Sequence, residues 1–106
     1  MNGQLRLILS DLQHLLKNFY DSRLSKIILY GSQARQDAEE DSDIDVLVVL
    51  NGAVNPGDEI TRTGKSISQL SLKYNTLISC TFISSGRYLK EQSPLLLNVR
   101  REGVAV

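Results

Sequence analysis

The sequence predicts an α/β (α+β) fold: a small mixed sheet of about three to four strands with helices packed on it. Two observations carry this. Short β-rich apolar runs alternate with stretches of helical spacing in the order α-β-α-β-α-β-α. The middle run, Ile44–Leu50, is apolar on both faces, as expected of a strand covered from both sides. With 106 residues, and with no repeat, low-complexity stretch or linker, the chain reads as one domain over residues 1–106.

The elements follow in order. Residues 4–20 place Leu5, Ile8, Leu9, Leu12, Leu15, Leu16 and Phe19 on one stripe of an amphipathic helix. His14 falls on the polar face and reads as a solvated side chain, while Leu7 points outward and hints at a partner surface. Residues 26–30 form a short strand, and residues 32–36 read as the first turns of a helix. After Ile44–Leu50, Asn51-Gly52 punctuates a loop. Asn55 then suits an N-cap with Pro56 at the first helical position, and Asp58 and Glu59 favour the positive helix start. This helix is expected to present Ile60, Ile67, Leu70 and Tyr74 on one face. Gly64 in its middle costs about 1 kcal/mol, so either the helix breaks there or another element packs close. Residues 77–84 form a third strand, with Ser84 or Ser85 capping a turn over Tyr88 and Leu89. Ser93-Pro94 opens a last helix, residues 95–102, closed by Gly103.

Bulk properties exclude several classes. Hydrophobic residues make up 42% and charged residues 23%, the balance of a globular chain and not a disordered one. Formal net charge is zero, so no global field draws nucleic acid or an anionic membrane. Cys80 is the only cysteine; it sits in an apolar run, reads as a small core residue, and no disulfide within the chain can form. No secretory leader is visible, and the longest apolar run, residues 46–50, is far too short for a membrane span. A reducing, cytoplasmic setting is expected.

Six carboxylates lie in the nine residues 37–45, a stretch with no basic residue. Asp43 and Asp45 stand two apart at the start of a strand, so both leave the same face, about 7 Å apart along the backbone. Paired hard oxygen ligands of this kind suit divalent cations that also bind substrate phosphates. Leu47 and Val49 continue the same face, which confines the polar site to the open end of the strand. Twelve residues before Asp43, Gly31 permits a tight turn and close approach of a ligand. Ser32 offers a hydroxyl and an N–H group, and Arg35 a charge-assisted contact for phosphate. Gly31, Ser32 and Arg35 are thus the candidate phosphate donors, and Asp43 and Asp45 the candidate metal ligands and catalytic residues.

Gly31-Ser32, ten residues and Asp43-x-Asp45 together resemble the motif of the DNA-polymerase-β-like nucleotidyltransferases. The short chain and its Gly-Ser-Gln-Ala-Arg start look more closely like the minimal nucleotidyltransferases of bacteria and archaea. The resemblance implies that Gly31 and Ser32 hold the terminal phosphates of ATP, that Asp43 and Asp45 bind two magnesium ions, and that a nucleoside monophosphate is transferred with release of pyrophosphate. It also implies a partner. Such small chains are paired with helical toxins of the HEPN type, and the antitoxin neutralises the ribonuclease by moving AMP from ATP onto one of its tyrosines.

In one respect the chain departs from this family. Members often carry a third carboxylate on a later strand, whereas residues 77–84 contain no Asp or Glu. Ser79 and Thr81 share one face there but lack charge, so the acceptor-side metal would be weakly held or completed by Glu39, Glu40, Asp41 or a partner. This supports the alternative of a non-catalytic antitoxin that masks its HEPN partner by binding alone. An enzyme acting on a small molecule is a third reading, disfavoured because no residues remain to build an acceptor pocket. Arg100 and Arg101 suit the negative end of the last helix; of Tyr20, Tyr30, Tyr74 and Tyr88, three read as packing residues and none as an acceptor.

Overall fold

The computed structural model describes residues 3–35 and 42–106. Helix α1, Gly3–Tyr20, and a 3-10 turn, Asp21–Arg23, lead into strand β1, Leu24–Tyr30. Helix α2, Ser32–Arg35, precedes β2, Ile44–Leu50, and α3, Pro56–Tyr74, connects β2 to β3, Ile78–Ser84. Two short helices, α4 (Ser85–Lys90) and α5 (Pro94–Glu102), are followed by β4, Val104–Ala105. The sheet order is β3-β2-β1-β4. β2 and β3 run parallel, joined by the long helical crossover that parallel pairing requires, while β1 is antiparallel to both of its neighbours. The mixed, helix-covered sheet of the sequence reading is therefore present.

Strand β2 is the centre of the molecule. Val46, Leu47, Val48, Val49 and Leu50 are all fully buried, because helices cover both sheet faces. On one face α1 and α3 pack over Ile27, Leu29, Val46, Val48 and Phe82. On the other, Leu96 and Val99 of α5 cover Ile28, Leu47, Val49 and Ile83.

The N-cap forms as expected: the Asn55 side chain accepts from the Asp58 N–H at 3.3 Å, with Pro56 in the first turn. Ser84 caps α4 and Ser93 caps α5 in the same way. Asn75 closes α3 in the left-handed region, φ 50°, and its N–H and that of Thr76 return to the last turn.

Several expectations change. Tyr20, not Phe19, completes the buried stripe of α1; Phe19 is 38% exposed. Tyr20 continues the four-residue step from Leu16, and its hydroxyl donates to Glu59 Oε1 at 2.7 Å. On α3 the inward position next to it belongs to Glu59, whereas Ile60 is 54% exposed. A buried carboxylate needs partners, and Glu59 has Tyr20 and the Arg62 guanidinium at 3.7 Å. Burial and this carboxylate push the Tyr20 hydroxyl well above its usual range. Helix α3 runs unbroken through Gly64, and a Cβ there would meet nothing within 4 Å, so neither of the two expected reasons for this glycine holds. Leu77 lies outside β3 and is exposed.

Gly103 ends α5, but with φ −68° and not in the left-handed region. It is required for space: a Cβ would fall 2.4 Å from the Val99 carbonyl oxygen and 2.6 Å from Ile28 Cγ2. This close seat lets β4 reach β1. Cys80 is half-buried on the α3 side, where burial pushes its thiol up to about 12. His14 and Leu7 are exposed, as expected. Among the described residues no helix is long and apolar enough to cross a membrane.

Candidate active site

The turn from β1 into α2 is built around Gly31, whose φ of 76° lies in the region L side chains rarely adopt. Its carbonyl accepts from the N–H groups of Ala34 and Arg35, both at 3.1 Å, which winds the chain into α2. Gln33 Nε2 donates to the Ser42 carbonyl at 3.2 Å and fastens this turn to the start of the next strand. Residues 36–41 lie outside the described residues, and with them the expected end of α2 and the candidate acids Glu39, Glu40 and Asp41.

Antiparallel register sets Tyr30 of β1 beside Asp45 of β2, which brings the turn against the carboxylates. The contact is close. A Cβ on Gly31 would sit 2.8 Å from Asp45 Oδ2, so the missing side chain is what leaves room for this carboxylate. Asp43 directly precedes β2 and is exposed; Asp45 is the second residue of the strand and half-buried. Burial raises the Asp45 carboxyl above its ordinary value, and the nearby negative charge of Asp43 adds to the rise. Two neighbouring carboxylates, with a cradle held open by glycine, fit a divalent cation. Asp43 and Asp45 would hold it, and it would supply charge neutralisation at phosphate oxygens.

On the other side of β2, parallel register puts Ser79 beside Asp45 and Thr81 beside Leu47. The position open to a third carboxylate is thus occupied by uncharged hydroxyls. Among the described residues no group of three or more His, Cys, Asp or Glu side chains that could hold a metal ion is found.

Ser32 is half-buried at the first position of α2. Arg35, one turn on, is exposed, and its Nη1 lies 3.0 Å from Glu102 Oε1 at the end of α5. The sequence reading missed Glu102, because a residue 67 positions away leaves no local signal. A concavity of about 470 Å³ lies elsewhere, between the start of β1, Tyr88, Arg100 and the β4 segment. The candidate site is an open sheet end and not this cleft. Arg100 donates to the Tyr88 carbonyl and lies over its ring, and Arg101 donates to Asn98.

A glycine turn packed on a strand-borne carboxylate pair places backbone donors beside hard oxygen ligands. Residues 5–93 match the model of the nucleotidyltransferase domain, and the chain belongs to that family. A chain of Methanocaldococcus jannaschii named "putative protein adenylyltransferase" is 39% identical over 69 residues, a stretch covering 65% of each chain. The match thus spans just under two thirds of that relative. Among solved structures, a toxin-antitoxin with AMP-PNP superimposes with a TM-score of 0.61 at 22% identity, covering 98% of this chain and 72% of that one. A mutant of the toxin-antitoxin MntA-HpeT gives 0.60 at 22% identity, covering 91% and 69%. At that identity the likeness is one of fold.

Proposed function

We propose that this chain is a magnesium-dependent nucleotidyltransferase antitoxin, a single unit over residues 1–106 working in the cytoplasm, that transfers AMP from ATP to a tyrosine of a HEPN ribonuclease toxin. The observation that carries the reading is the seat of Gly31 against Asp45, which joins the phosphate-binding turn to the carboxylate pair. Membership of the nucleotidyltransferase domain family, and the names of the adenylyltransferase relative and the toxin-antitoxin neighbours, support it.

In this reading Gly31 and Ser32 hold the β- and γ-phosphates, and Arg35 adds a cationic contact. Asp43 and Asp45 would hold magnesium, which would supply charge neutralisation at the phosphates. The acceptor hydroxyl oxygen forms a bond to the α-phosphorus, the bond from that phosphorus to the α,β-bridging oxygen breaks, and pyrophosphate leaves. The hydroxyl proton passes to a base or to water. In this reading the acceptor comes from the partner.

The test is intact mass of the helical partner after incubation with ATP and magnesium, with an Asp43→Asn, Asp45→Asn double variant alongside. Increments of one adenylyl group with the natural chain are expected, and a loss of at least about 100-fold in the double variant, the scale for losing a charge-stabilising group from a transition state. No increment under any divalent cation would overturn the catalytic reading. The uncharged Ser79 beside Asp45 favours a second reading, neutralisation by contact alone. Under it the double variant still neutralises its partner.

A further inference from the structure

Glu102 has the wrong sign for its place. A helix C-terminus favours cations, and Arg100 and Arg101 fit that rule; Glu102, the last residue of α5, does not. Its carboxylate instead reaches across to the Gly-Ser turn and pairs with Arg35 at 3.0 Å. The two partners are unequally held. The Glu102 side chain is 19% exposed and that of Arg35 46%.

The backbone after Glu102 is fastened to β1 at every step. Gly103 donates to the Val99 carbonyl at 2.7 Å and lies against Ile28, where no Cβ fits. Val104 and Ala105 pair with Leu29 and Ile28, and the Val106 N–H donates to the Ile27 carbonyl at 2.9 Å. The Glu102 carboxylate, on this fastened segment, therefore steadies the more exposed guanidinium of Arg35.

Resting on the nucleotide-site reading above, we infer that Glu102 is a positioning residue: it holds the Arg35 guanidinium at the mouth of the Gly31-Ser32 turn, ready for a triphosphate. A guanidinium carries five N–H donors in a fixed fork, so contact with Glu102 through Nη1 is compatible with a phosphate on another edge. Arginine loses rotamer freedom when ordered, and pre-ordering by Glu102 removes part of that cost from nucleotide binding. The C-terminal segment thereby becomes part of the nucleotide half of the site.

The test is equilibrium titration of the full chain with a fluorescent ATP analogue, together with KM and kcat for transfer from ATP. Glu102→Gln is expected to weaken nucleotide binding and raise KM by about three- to tenfold, with kcat within about twofold and the melting temperature almost unchanged, because an exposed ion pair contributes little to stability. In an Arg35→Ala background the same change should have no further effect. Tighter or unchanged binding by Glu102→Gln would overturn the inference and leave the site reading standing. So would an effect that persists without Arg35, which would mean that Glu102 acts through the fold. If the natural chain itself binds no nucleotide, the site reading fails and this inference falls with it.

Discussion

The two faces of the sheet are built for different purposes. Under α1 and α3, among the described residues, sixteen buried side chains from both helices and three strands form one apolar cluster. The face that carries Asp45 has six, covered mainly by Leu96 and Val99. The first face is closed over β2 from Ile44 to Leu50. Among the described residues the second is closed over Ile28, Leu47, Val49 and Ile83, and it opens at Tyr30, Asp45 and Ser79, where β1, β2 and β3 lie side by side. Stability is concentrated on one side, which leaves the other free to hold carboxylates that a packed core would reject.

The contrast can be broken most strongly from the closed side. Leu16 is fully buried in α1, and Leu16→Ala should cost about 2–5 kcal/mol. Denaturant unfolding should show a lower midpoint with an unchanged slope.

A smaller and opposite effect is expected on the open side. Ionised Asp45 is disfavoured in the folded state by burial and by Asp43. Its native carboxyl therefore titrates above the ordinary 3.8, and the folded state loses stability as pH rises from 3.8 through the raised value. Asp45→Asn removes that penalty. It should raise the melting temperature at neutral pH. The gain should vanish below pH 3.8, and thermal melts at several pH values check it. An Asp45→Asn protein that is less stable at neutral pH would mean that the carboxylate makes a structural bond.

The smallest effect sharpens the comparison away from both cores. Gly64 lies in an intact helix with open space at its Cβ position, so Gly64→Ala should stabilise by about 0.5–1 kcal/mol. A loss of stability would show that the position needs its glycine after all.

Reading the sequence succeeded where the signal is local. The caps at Asn55, Ser84 and Ser93, and the bounds of β2, each depend on a few neighbouring residues. It failed where a contact joins distant segments. Glu59 was read as a helix-start charge but is buried under the Tyr20 hydroxyl, a partner 39 positions away. Strand β4 is two exposed residues long, too short for any alternation to show. The reason for Gly103 is the proximity of Ile28 and Val99, which no periodicity reveals. For the candidate site the five residues named in advance fall at one end of the sheet, and the pairing of Arg35 with Glu102 was not foreseen.

Composition, periodicity and the spacing of Gly31-Ser32 from Asp43-x-Asp45 determined by themselves that this is a helix-covered mixed sheet with the motif of a nucleotidyltransferase. Backbone propensity, capping and side-chain alternation act over a few residues and can be read along the chain. Only the tertiary structure decided that Gly31 makes room for Asp45, that Ser79 flanks it without charge, and that the end of α5 returns to hold Arg35. Those facts depend on register and on the folding back of remote segments, which are set by packing of the whole core and have no local code.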